Sequence, residues 1–112
     1  MYAANKFFLI ATVLCAASAM LVGHMISSPV DERVVEVVNQ VRPQVESQIN
    51  EKFSIFKPVE VAKQVVAGLN YFVKVDIGNN RAIHLRIYDH FNDVSLTKVL
   101  TGKTLDDPLV YF

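Results

Sequence analysis

Between residues 30 and 49 the large apolar residues fall in steps of three and four; from residue 53 onward the step becomes two. Val30, Val34, Val37, Val38, Val41, Val45 and Ile49 make one stripe, and Asp31, Glu32, Glu36, Gln40, Gln44, Glu46 and Gln48 fill the opposite face. That spacing predicts an amphipathic helix, even though valine is a mediocre helix former because its branched carbon is stiff against the preceding turn. Ser28 followed by Pro29 reads as its start, a capping residue and then the residue suited to the first helical position. Pro43 predicts a bend and a broken rung near Asn39, within one helix that ends near residues 50–52.

Everything after the helix alternates. Residues 53–66 form one strand region, where Pro58 predicts a bulge or an edge position. Tyr71, Val73, Val75 and Ile77 share one face of the next strand; Asn70, Phe72, Lys74 and Asp76 share the other. "GNNR" (78–81) is a tight turn. Ile83, Leu85 and Ile87 then alternate with His84, Arg86 and Tyr88, which places His84 on a solvated face. After the polar break "HFND" (90–93), strands are expected over 94–100 and, as a short last one, over 108–112. One helix followed by a run of strands predicts an α+β fold, the helix covering one face of an antiparallel sheet.

The N-terminus is not expected to belong to that fold. Lys6 precedes an apolar run, "FFLIATVLCAA" (7–17), and "ASA" (17–19) offers the small residues that a signal peptidase needs. Residues 1–19 are therefore predicted to be a cleaved signal peptide, and 20–112 one small domain, secreted or held in secretory-pathway vesicles. The alternative is an uncleaved membrane anchor. The uncharged run 7–23 is at the short limit for spanning hydrocarbon and is diluted by Ala, Ser, Thr and Gly. Cleavage would also remove Cys15, the only cysteine, so packing and hydrogen bonds must hold the domain together. Residues 20–27 read as a flexible arm containing Gly23.

Charge and side-chain inventory exclude several functions. Lys and Arg together number 11, as do Asp and Glu, so no general electrostatic footprint for nucleic acid or an anionic membrane exists. Without its cysteine and without a Gly-x-Ser-x-Gly elbow, the domain offers His84 and His90 no nucleophile partner, so an enzyme is not expected. Asp89, His90 and Asp93 match no strong metal-ligand spacing, and neither metal nor cofactor is expected. The distinctive residues lie instead in "KQVVAGLNYFVKVDIG" (63–78), two runs of β-formers around Ala67 and Gly68, with no reactive chemistry.

"QVVAG" (64–68) followed by "NYFVKV" (70–75), a glycine in the arm at Gly23, "VRPQV" (41–45) in the helix and the ending "DDPLVYF" together resemble the cystatins, and most of all the cysteine-free stefins. The resemblance spans essentially all of 20–112. It implies a cystatin-like fold, an antiparallel sheet wrapped around one helix. It also implies reversible, tight-binding inhibition of papain-like cysteine proteases of the cathepsin B and L type. In that family the arm and two hairpins form a wedge that plugs the protease cleft. Carried over, the contacts are Gly23, then Gln64, Val65, Val66, Ala67 and Gly68, with Phe91 replacing the apolar contact of the second hairpin. A small tip suits such work, since Ala67 and Gly68 let backbone approach a narrow cleft.

The chain departs from the stefin pattern in several places. Leu69 stands where stefins carry threonine. The second hairpin, "HFNDVSL", lacks the usual Leu-Pro and is shorter. Stefins are typically intracellular, so a signal peptide is unusual, and the Ser-Asn-Asp motif of legumain-inhibiting cystatins is missing. A cystatin-fold binding module without protease inhibition is the alternative reading. The domain is expected to be a monomer. Val65 and Val66, β-branched residues beside a tight tip, are expected to store about 1–3 kcal/mol of strain there, which opening into a domain-swapped dimer would release.

Overall fold

The computed structural model describes residues 23–112. The signal segment 1–19 and arm residues 20–22 lie outside the described residues. Among those described, one helix and five strands occur: β1 (Ile26–Ser28), α1 (Glu32–Ile49), β2 (Lys57–Val66), β3 (Gly68–Gly78), β4 (Arg81–His90) and β5 (Asp93–Thr104). The strands form one antiparallel sheet in the order β1-β2-β3-β4-β5. The α+β class follows directly from the change of period in the sequence.

The helix begins later than Ser28-Pro29 suggests. Ser28 pairs with Val61 in β1, and an extended residue in a ladder cannot also open a helix. Asp31 caps instead: its backbone is extended and its Oδ1 accepts from Val34 N at 3.0 Å. That hydrogen bond, with Lys63 beside it, holds the Asp31 carboxyl below its usual range. The arm expected over 20–27 is correspondingly a strand from Ile26. At the other end Asn50 takes the left-handed conformation, φ 56°, and its N–H returns to Glu46 O. Pro43 lies inside a helix that continues through it as one element.

Val34, Val37, Val38, Val41 and Val45 are all buried against Val61, Tyr71, Val73, Val75, Ile83, Leu85 and Ile87. Each buried valine contributes roughly 1.5–3 kcal/mol, against a helix-propensity cost of well under about 1 kcal/mol each. Packing decides the conformation. Residues 53–56, expected to be strand, are instead a loop that places Phe53 and Phe56 in the core with ring centroids 5.3 Å apart. Glu46 holds this loop, accepting from Phe53 N and Arg42 Nε, both at 3.1 Å, while Arg42 Nη2 donates to Phe53 O. The register of β2 shifts between Pro58 and Glu60, the bulge that the proline predicts.

The polar face of the sheet is not solvated. Residues 105–112, expected to end in a strand, form no ladder; they strap across that face instead. Lys74 Nζ donates to Leu105 O at 2.8 Å and Arg86 Nη1 to Phe112 O at 2.7 Å. The Phe72 ring meets Tyr111 and Phe112 at 5.4 and 5.7 Å, and the Arg86 guanidinium lies 5.0 Å from the Tyr111 ring centre. His84, expected in solvent, is consequently 1% exposed, with the Phe112 ring of the strap 6.4 Å from its own.

Candidate functional site

At one end of the sheet the chain turns twice. The first hairpin is minimal: Val66 pairs with Gly68, leaving Ala67 alone at the tip. The second closes between His90 and Asp93, with Phe91 and Asn92 as its two turn residues at φ 51° and 78°. Such a primed turn matches the right-handed twist of its strands. It also puts a bulky aromatic residue in a region that such residues rarely occupy. Asp93 extends β5 at the start, and Gly102 and Thr104 lie beyond the predicted end at residue 100.

All seven predicted contact residues converge on this edge. Gly23, at φ +91°, sits so close to β2 that a Cβ on it would lie 2.3 Å from Val65 O. Gln64 Nε2 donates to Gly23 O at 3.4 Å, and Gln64 Oε1 accepts from Asn70 Nδ2 at 3.0 Å. A chain of amides therefore runs from β3 through β2 to the arm. Ala67 O accepts from the Tyr88 hydroxyl, which ties the first tip to β4. Val65, Val66, Gly68, Leu69, Phe91 and Asn92 surround a shallow recess of about 330 Å³ beside Asp89. Val65 and Phe91 are 59% and 75% exposed. These are large apolar side chains left in water at an edge whose backbone is otherwise tied down.

Two expectations about this edge change. Gly68 is small for a reason inside the molecule: at φ +101°, a Cβ there would lie 2.3 Å from Asp89 O and 3.0 Å from the His90 Cα. Its missing side chain lets the two hairpins touch. The strain expected at Val65 and Val66 is not stored in left-handed backbone. Among the described residues, the positive φ values near this tip fall on Gly23, Gly68, Phe91 and Asn92.

Three polar residues that position the edge, Arg33, Tyr88 and Asp89, lie outside the motifs, and Asn70 opens "NYFVKV" without its role being legible there. Asn70 and Tyr88 occur in the period-two pattern as ordinary outward positions, and they are in register with each other. Arg33 donates to Asp89 Oδ2 from Nε and Nη2, at 3.2 and 2.8 Å, and Asp89 Oδ1 accepts from Asn92 N at 2.9 Å. The Asp89 carboxylate that could be drawn into a metal set with His90 and Asp93 is thus engaged by an arginine and a turn amide. Its neighbour Tyr71, buried in the core, has its phenol pushed up by burial and then by the Asp89 charge. Among the described residues, no hydroxyl, thiol or imidazole at the edge is hydrogen-bonded to a side-chain base; the Tyr88 hydroxyl is spent on a carbonyl oxygen.

Comparison with known proteins agrees with this fold. Residues 23–102 match the family model described as the cystatin domain. The chain is similar to Cystatin-A of Mus musculus, 42% identical over 87 residues, covering 75% of this chain and 90% of the relative. It is 40% identical to Cystatin-B of the same organism over 88 residues, at 75% and 90% coverage. To Cystatin-B of Homo sapiens it is 39% identical over 90 residues, at 77% and 92% coverage.

Proposed function

The chain belongs to the cystatin family, whose members inhibit cysteine proteases and are not enzymes, and from that premise we propose that it is a reversible, tight-binding inhibitor of papain-like, cathepsin-type endopeptidases. The observation that carries this reading is the convergence of Gly23, the 64–68 hairpin and Phe91 on one edge, cross-linked by hydrogen bonds. In this mechanism the Ala67 tip enters the cleft beside the protease's nucleophile, and the arm and the Phe91 turn flank it on either side. No covalent bond forms. Val65 and Phe91, exposed in the free protein, lose their water on docking. The two tips are already held in place, so little conformational entropy is lost and the apolar contacts count largely as affinity. Protease–inhibitor interfaces of about 1,600 Å² are among the tightest known.

Titrating the purified domain into a papain-like endopeptidase of known active-site concentration tests this. Stoichiometric loss of activity that dilution restores, with serine and aspartic proteases unaffected, is the expected result. A domain inert at micromolar concentration against several such enzymes would leave the alternative, a cystatin-fold binding module.

We further propose that the protein acts in the secretory pathway or outside the cell after removal of 1–19, reaching lysosomal-type proteases from that side. Among the described residues no helix is long and apolar enough to cross a membrane. Intact mass of the secreted product should correspond to a chain beginning at or near Met20, without N-linked sugar, as no Asn-x-Ser/Thr occurs. A mass that retains 1–19 would favour the anchored form.

A further inference from the structure

We propose that Arg33 is a positioning residue for inhibition: it ties helix α1 to the 90–93 turn and so holds Phe91 in the orientation that meets the protease, a role that rests on the inhibitory reading above. The turn needs such a tie. Phe91 is three-quarters exposed and buries no side-chain surface in the core; its nearest ring is His90, edge-on at 4.9 Å. Its φ of 51° is unfavourable for an aromatic residue, so an untethered turn would relax toward other conformations. Among the described residues, packing in the hydrophobic core does not oppose that relaxation, since Phe91 has no place in that core.

The polar clamp does. The Arg33 guanidinium places Nε and Nη2 on Asp89 Oδ2, Nη2 also on Asn92 Oδ1 at 3.1 Å, and Nη1 on Glu36 Oε1 at 3.0 Å. The Asp89 side chain is only 9% exposed, and its other oxygen accepts the Asn92 amide. Asp89 before the turn and Asn92 within it are therefore both fixed from the helix, across 56 and 59 residues of sequence. The planar fork matters, because Nε and Nη2 grip one Asp89 oxygen together while Nη1 holds Glu36, three points that the single nitrogen of a lysine cannot occupy at once. Asp89 also meets the first hairpin through its carbonyl beside Gly68, so the clamp bears on both tips.

The test uses the variants Arg33→Gln, Arg33→Lys, Phe91→Ala and the Arg33→Gln/Phe91→Ala double, each measured for association and dissociation rates with one papain-like endopeptidase. Phe91→Ala should raise the dissociation rate about 10- to 100-fold and Arg33→Gln about tenfold, with Arg33→Lys in between. In the Phe91→Ala background Arg33→Gln should add less than about twofold, because the clamp acts through Phe91. An Arg33→Gln variant within twofold of the wild type, or an effect that persists undiminished without Phe91, overturns the proposal. A wild type that does not inhibit refutes the inhibitory reading itself, which these variants would not be needed to see. The positioning step is read separately on the free protein. Arg33→Gln should speed hydrogen exchange of the Asn92 amide at least tenfold while core amides of β3 keep their protection. Unchanged exchange at Asn92 refutes the clamp whatever the protease does.

Discussion

A methyl group on Gly68 would meet the Asp89 carbonyl at 2.3 Å, so the glycine of the tip is constrained by the inhibitor's own second hairpin before any protease arrives. Gly68→Ala should cost about 1–3 kcal/mol from its φ alone and lower the melting temperature by roughly 5–15 °C, with weaker inhibition as well. A thermal melt unchanged from the wild type would mean that the two hairpins part without cost. The motif around Gly68 was legible in the sequence, but its partner was not, because no pattern in residues 64–68 points to Asp89. His84 was misplaced for a similar reason: alternation assigns it a face and cannot say what covers that face. Burial, then Lys103 on β5 and Lys74 on β3, lower its pKa, while Asp107 of the strap and Glu60 on β2 oppose the shift. Its Nε2 has no hydrogen-bond partner among the described residues. A histidine kept neutral by folding contributes its stability in full above the unfolded value of 6.5. That contribution is lost as pH falls from there toward the lowered folded value, where only the unfolded chain takes up the proton. Melting temperature should thus fall between pH 7 and 5, above the range where the paired carboxylates Asp31, Glu46, Glu51 and Asp107 protonate. His84→Gln should flatten most of that slope; an identical slope in the variant would remove His84 from the account.

Among the elements, those with a strong period were legible and those without one were not. The valine stripe identified α1, and the alternation identified β3 and β4 nearly to the residue. The three-residue β1 is too short to show any period and exists because its backbone completes the ladder of β2. The strap 105–112 was read as a strand from its apolar residues, yet its ring contacts with Phe72 explain those residues better than a ladder would. Strand β1 also divides the arm into two parts. Ile26, Ser27 and Ser28 are anchored to Lys63, Ala62 and Val61 in a ladder, whereas Gly23 lies against the Val65 backbone and accepts one long hydrogen bond from the Gln64 amide. Removing residues 20–23 from a chain that begins at Met20 should therefore leave the melting temperature nearly unchanged. It should raise the dissociation rate about tenfold or more, equivalent to 1.4 kcal/mol. A dissociation rate equal to that of the full domain would show that the arm is idle in the complex.

At the scale of the whole molecule, the first hairpin is also the seam between two halves. β1, α1 and β2 precede Ala67, and β3, β4 and β5 follow it, while the core is built from α1 valines against side chains of β3 and β4. Straightening the chain at Ala67 would join β2 and β3 into one strand. The first half could then fold onto a second copy's β3–β5, remaking every core contact between chains. Release of valine strain does not drive this exchange, since the left-handed turn falls on Gly68, where it is cheap. What opposes it is the hairpin's own ties, above all the Tyr88 hydroxyl on Ala67 O. The monomer is then the state favoured at low concentration, and partial unfolding by warming or mild denaturant should yield a dimer on return to native conditions. That dimer lacks the Ala67 tip and should not inhibit. Tyr88→Phe removes one tie without touching the core and should increase the dimer fraction severalfold under the same treatment. Gel filtration with each peak assayed against a papain-like endopeptidase reads both outcomes. If the dimer inhibits as well as the monomer, the hairpin has stayed closed and the copies associate through some other surface. If Tyr88→Phe dimerises no more than the wild type, the tie at Ala67 is not what keeps the seam shut.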